Sequence, residues 1–114
     1  MLQTADVIII GAGPGGLSAA TALALGGLDV TVINNGHLMG YGIEGAFKSK
    51  AEFEVARLYA DTALRQDLFT MRPALDFGAV KGAIEHTARN LSSGIQTRLQ
   101  RLGIKILKGA GQFI

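Results

Sequence analysis

The sequence predicts an α/β fold: a Rossmann-like β–α–β unit with a parallel sheet and two further helices. Two stretches carry that prediction. ADVIII at residues 5–10 is continuously aliphatic and β-branched, the pattern of a strand buried on both faces, and it runs directly into GAGPGG. A small-residue, helix-compatible stretch follows, closed by a Gly–Gly pair before a second aliphatic run, LDVTVIN.

The first helix is expected from Gly15 to about Leu25, with apolar positions at Leu17, Ala20, Leu23 and Ala24. Gly26 and Gly27 stop it, and residues 28–34 form the second strand. Glycines punctuate the chain from Gly36 to Gly45. A helix is then expected from about Ala46 to Arg65, its stripe running through Phe47, Ala51, Val55 and Leu58. DLFTMRPALD is a connector, because Pro73 disfavours helical backbone at Arg72. Asp76 is placed to cap a long helix reaching about Leu102. Val80, Ile84, Ala88, Leu91, Ile95, Leu99 and Leu102 form its apolar stripe, with Lys81, Glu85, Arg89, Arg98 and Arg101 on the other face. Gly82 and Gly94 weaken it slightly. GIKILKG is a third strand able to join the first two.

The composition sets bounds. A chain of 114 residues makes one domain at most, and with 48% apolar residues it is expected to be globular. Sixteen glycines point to tight turns and close backbone approach to a ligand. A net charge of +2, spread along the chain, argues against a nucleic-acid or anionic-membrane partner. No cysteine is present, which excludes disulfides, thiolate metal sites and thiol redox chemistry and suits a cytoplasmic protein. No basic region precedes the first apolar run, so it does not read as a signal peptide, and LSAATALALGGL is too short to span a bilayer.

Gly11, Gly13 and Gly16 form a G-x-G-x-x-G motif between a strand and a helix, the context its mechanism requires. Gly11 permits the tight turn, Gly13 lets the backbone approach a pyrophosphate, and Gly16 lets helix and strand pack closely. The helix N-terminus then offers free N–H groups to the phosphates. About 20 residues further on, an acid normally holds the adenosine ribose. Here the position is Asn34. An amide lacks a carboxylate's charge-assisted grip. A 2′-phosphate site would want an arginine nearby, and NGHL supplies none, so a weaker adenosine site is expected rather than a change of cofactor.

The strand with IGAGPGG, the loop ending in Ser49–Lys50 and the stretch from DFGAVKG to KGAGQFI together resemble the N-terminal FAD-binding segment of the flavoprotein disulfide reductases. That family includes dihydrolipoamide dehydrogenase, mercuric reductase and soluble pyridine-nucleotide transhydrogenase. The likeness covers essentially the whole chain, so residues 1–114 are expected to be the N-terminal part of a Rossmann-like FAD-binding domain, incomplete relative to the family. The family's loop carries two cysteines as a redox pair. Aligned on Ser49–Lys50, LMGYGIEGAFKSK puts Tyr41 and Ala46 at those positions and Lys48 at the family's proline. By this resemblance the loop has lost its redox pair and kept its scaffold, with Gly40 and Gly45 allowing close backbone approach.

The resemblance also implies a set of cofactor contacts. Gly11, Gly13, Pro14, Gly15 and Gly16 line the FAD pyrophosphate, Asn34 meets the ribose, and Gly40 and Tyr41 pass the ribityl and phosphate region. Lys50 approaches the flavin ring and tunes it, while Ala110 and Gly111 meet the adenine. Bland roles compete: Lys50 as a solvated helix lysine, Tyr41 as a packing residue, Glu44 in a surface pair with Lys48 or Lys50, and Ser49 at a helix start. His37 and His86 are single, with no metal-ligand spacing.

The implied function is the FAD-binding portion of a pyridine-nucleotide-dependent oxidoreductase without a redox disulfide. The chain alone is not expected to be catalytically complete, and NAD(P)H is a co-substrate once the family's further domains are present. An alternative is a non-catalytic or split nucleotide-binding subunit completed by a partner polypeptide. A plain NAD(P)-binding domain leaves the Ser49–Lys50 loop and the long helix without a role. Unpaired sheet edges predict association with the remaining flavoprotein polypeptide or with a second copy.

Overall fold

Three short parallel strands organise the chain in a computed structural model that describes residues 2–71 and 73–114. They are β1 (Val7–Ile10), β2 (Val30–Asn34) and β3 (Lys105–Lys108), in the spatial order β1–β2–β3. Val7 faces Val30 and Ile10 faces Ile33, while Thr31 faces Lys105 and Asn34 faces Lys108. All three carboxyl ends therefore share one edge, where open α/β sheets place their ligands.

Helix α1 (Pro14–Leu25) joins β1 to β2, and Gly26 and Gly27 close it by donating to Ala22 and Ala24 carbonyls. Alternation along the strands sends Ile9, Val30, Val32 and Ile106 to one face. They pack with Leu17 and Ala20 of α1 and with Leu99 of the third helix, around buried Ala12 and Ile104. The opposite face stays open: Ile8 is 54%, Ile10 45% and Leu107 39% exposed. This corrects the expectation that β1 is buried on both faces. Both helices that reach the sheet lie on the same side, and an aliphatic run reads alike whether or not its second face is covered.

The two further helices are α2 (Lys48–Leu64) and α3 (Phe77–Arg101). Asp76 caps α3 as expected, its carboxylate accepting from the Ala79 N–H at 3.0 Å. Arg98 and Arg101 occupy the last turn, where cations suit the helix dipole. The C-terminal half of α3 packs on the sheet through Ile95, Leu99 and Leu102, while Ile84 turns toward α2. Leu91, between those two contacts, is left partly exposed.

Helix α2 departs from its predicted form. It buries no residue, and Leu58 of the expected stripe is mostly exposed. It also begins early, as one turn of π-helix (Gly42–Phe47) continuous with Lys48. The connector holds a short 3₁₀ turn at Gln66–Leu68, and the expectation about Arg72 lies outside the described residues. The α2–α3 pair extends away from the sheet, giving a longest dimension of 68 Å. Among the described residues no helix is long and apolar enough to cross a membrane.

Candidate functional site

The glycine motif sits where β1 ends. Gly11 extends the ladder by donating to the Ile33 carbonyl at 2.8 Å, then turns with φ +99°, a conformation that strains any side chain. Pro14 occupies the first turn of α1, where its missing N–H costs nothing, and no side chain caps the helix. The N–H groups of Gly15 and Gly16 therefore have no acceptor within the helix.

The glycines divide by what surrounds them. A Cβ added at Gly16 would run into the carbonyl oxygen of Gly11, so this glycine serves the contact between helix and loop. At Gly13 and Gly15 an added Cβ would meet no protein atom within 4 Å. Their surface is open, beside a helix N-terminus with free donors. That combination suits a pyrophosphate by both charge and space.

Asn34 ties the glycine turn to the segment after β2. Its Oδ1 accepts from the Ala12 N–H at 3.1 Å, and its Nδ2 donates to the Gly36 carbonyl at 2.7 Å. The Met39 N–H then returns to the Ala12 carbonyl at 2.7 Å. One Oδ1 lone pair is thus already engaged in holding the loop. Gly109 donates to the Asn34 carbonyl at 3.1 Å, drawing the segment after β3 alongside. The result is an open cavity of about 210 Å³ lined by Ile10, Gly11, Ile33, Asn34, Asn35, Gly109, Ala110 and Gly111. A Cβ at Gly111 would lie 2.8 Å from Cγ1 of Ile10, so the backbone there lies close against that side chain. The structure thus brings Gly11, Asn34, Ala110 and Gly111 together, with Gly13, Pro14, Gly15 and Gly16 following directly from Gly11.

The loop over residues 38–50 is arranged differently from its sequence reading. Met39 and Gly40 both have positive φ, +65° and +46°, and Gly40 has open space around it. Gly40 therefore makes a turn whose outer surface is open. A Cβ at Gly45 would collide with the ring of Tyr41, so that glycine accommodates the tyrosine one turn back. Tyr41 is otherwise exposed. Ser49 is the second residue of α2, at a helix start as expected, and its hydroxyl donates back to the Gly45 carbonyl at 2.9 Å.

Sequence reasoning missed one interaction here. Lys48 Nζ lies 2.9 Å from Glu44 and also 2.9 Å from Glu85 on α3, with only 20% of its side chain exposed. Hydrogen bonds to Glu44 and then Glu85 raise the Lys48 pKa, and the Lys48 hydrogen bond lowers that of Glu85. The pair with Glu44 was visible as an i,i+4 spacing, whereas the link to Glu85 depends on how α2 and α3 meet. Lys50, two residues on, is turned about 200° around the helix from Lys48. It is exposed and makes no ion pair among the described residues. Lys50 and Tyr41 do not line the cavity at Asn34.

A parallel sheet ending in a glycine-rich turn, an uncapped helix and a cavity across β1–β2–β3 defines a dinucleotide-binding α/β unit. Comparison with known proteins narrows that class. Residues 5–114 match the family model described as pyridine nucleotide-disulphide oxidoreductase. The chain is 29% identical over 110 residues to dihydrolipoyl dehydrogenase of Zymomonas mobilis, covering 94% of this chain and 24% of that protein. It is 31% identical to dihydrolipoyl dehydrogenase 3 of Haloarcula marismortui, covering 95% and 23%. Against dihydrolipoyl dehydrogenase of Staphylococcus aureus it is 30% identical, covering 96% and 24%. The chain belongs to this family of flavoprotein oxidoreductases and corresponds to its FAD-binding, Rossmann-type segment. It spans about a quarter of the length of the curated relatives it matches.

Proposed function

We propose that this chain is the FAD-binding portion of a pyridine-nucleotide-dependent flavoprotein oxidoreductase that works without a redox disulfide. The observation carrying the flavin part is the open surface at Gly13 and Gly15 beside the free donors of α1. Those donors bind the pyrophosphate. Ala110, Gly111 and Asn34 enclose the adenosine, and the Asn34 amide keeps the loop in place. Lys50, exposed on the first turn of α2, is the cation that meets the flavin ring and favours its reduced form. Bound FAD supplies the redox chemistry, in exchange with a nicotinamide cofactor.

The absence of a disulfide rests on the loop itself. Tyr41 and Ala46 stand at the paired positions, and the chain contains no cysteine. Anaerobic reductive titration of the FAD-loaded protein tests this. With the flavin as the one electron store, bleaching ends at two electrons per FAD. Uptake of four electrons per FAD would overturn it.

A second reading has its own observation. The open face of Ile8, Ile10 and Leu107 beside the unpaired edge of β1 is an apolar surface that the described residues leave uncovered. It suits a nucleotide-binding subunit completed by the remaining flavoprotein polypeptide or by a second copy. Sedimentation at several concentrations tests it: a monomer at all of them argues against self-association.

A further inference from the structure

The segment between β2 and α2 is held at its two ends to different parts of the fold. At its start the Met39 N–H reaches the Ala12 carbonyl in the glycine turn at 2.7 Å. At its end Lys48 Nζ bridges Glu44 in the π-turn and Glu85 on α3, each at 2.9 Å. Among the described residues the bond to Glu85 is the one side-chain hydrogen bond between α2 and α3. Little else fixes α2, which buries no residue. An open cleft of about 540 Å³ is lined by Val55 on its side and by Val80 and Ile84 on α3.

Helix α3 is itself fixed to the sheet core through Ile95 and Leu99. The Lys48–Glu85 bond therefore ties the start of α2 to the sheet and sets how α2 is turned about its own axis. With two carboxylate partners and 20% of its side chain exposed, Lys48 is held more firmly than Arg57, which pairs with Glu54 and Asp61 at 51% exposure. Lys50 lies about 200° around the helix from Lys48. Holding Lys48 against α3 thus directs Lys50 to the opposite, exposed side. Released from Glu85, a helix with no buried residue is free to roll and to carry Lys50 with it.

We infer that Lys48 is a positioning residue for the flavin site: bonded to Glu85, it fixes the roll of α2 and so the place at which Lys50 presents its charge to the flavin. The inference rests on the FAD reading and on Lys50 as the cation at the flavin ring. Lys48 acts through Lys50 and touches no residue of the cavity at Asn34.

Anaerobic equilibrium dialysis of the full chain against oxidised FAD and against dithionite-reduced FAD tests the inference. The ratio of the two dissociation constants measures the preference for reduced flavin. Lys50→Met should lower that ratio about 5-fold, the upper end for one exposed charge interaction. Lys48→Met and Glu85→Gln should each lower it about 3-fold, because the Lys50 charge remains but is displaced. Lys48→Arg retains the parent ratio, and neither Lys48→Met nor Glu85→Gln changes it further in the Lys50→Met background. A direct field effect predicts opposite signs instead, since losing the Lys48 cation disfavours reduced flavin and losing the Glu85 anion favours it. Opposite signs, no change, or an equal fall in the Lys50→Met background overturn the inference and leave the FAD reading standing. Melts followed by circular dichroism report folding, and if Lys48→Met is unfolded, Glu85→Gln decides. An unchanged ratio in Lys50→Met overturns the flavin role of Lys50 and this inference with it. Failure of the parent chain to bind either form of FAD overturns the FAD reading as well.

Discussion

Replacing Gly13 and Gly16 separately with alanine distinguishes a ligand surface from a packing contact within one motif. At Gly16 the new methyl group would meet the Gly11 carbonyl oxygen and lie 3.3 Å from Cγ2 of Ile9. A backbone carbonyl cannot swing aside, so the cost is that of overpacking, about 1–3 kcal/mol, or roughly 4–20 °C in Tm for a domain of this size. At Gly13 the backbone is extended, φ −75° and ψ −179°, which alanine adopts freely, and the methyl group enters open space. Gly13→Ala should therefore keep its Tm to within about 0.5 kcal/mol of stability. Its methyl group occupies the volume assigned to the pyrophosphate. Displacing one charge-assisted hydrogen bond costs about 1.5–3 kcal/mol, or roughly 10–150-fold in FAD affinity. Thermal melts and quenching of FAD fluorescence read the two effects. A Gly13→Ala protein that binds FAD as tightly as the parent, or that melts as early as Gly16→Ala, would refute the division of roles.

Other substitutions probe the core, the α3 cap and the link between α2 and α3. Leu99→Ala, at a site only 2% exposed in the sheet core, should cost about 2–5 kcal/mol in chemical denaturation. Asp76→Ala removes the α3 cap and should cost about 1 kcal/mol in the same assay. Glu85→Gln breaks the link from α3 to Lys48. The Glu85 pKa is lowered, so its contribution is present above the ordinary carboxylate range and lost as pH falls through the lowered value. The Lys48 pKa is raised, so its share is lost only as pH rises past the ordinary lysine range. The Tm difference between parent and Glu85→Gln should thus be present at neutral pH and vanish in acid; a difference that persists there would assign it to packing.

The β–α–β unit was legible because local rules set it. An aliphatic run, a glycine turn and a Gly–Gly stop each act within a few residues, and Asp76 announced its helix for the same reason. What the sequence concealed depends on the meeting of distant segments. The aliphatic pattern of β1 could not show that α1 and α3 cover the same face and leave Ile8 and Ile10 open. The weak stripe of α2 meets α3 over only part of its length, and its early start as a π-turn follows positive φ at Met39 and Gly40, a conformation unusual for methionine. Asn34 ends β2 as the sequence indicated, but its bond to Ala12 and its pairing with Lys108 belong to the sheet. Glu85 looked like one charge on a solvated face until α2 brought Lys48 against it.

The most direct test of FAD binding is the visible absorption spectrum of the purified protein, before and after addition of FAD, with the chromophore released by heat and identified. FAD bound weakly by the chain alone, seen as a change in the flavin bands on addition and identified as FAD on release, is the predicted result. A protein that remains colourless after incubation with excess FAD would contradict the flavoprotein reading, however well its fold matches the family.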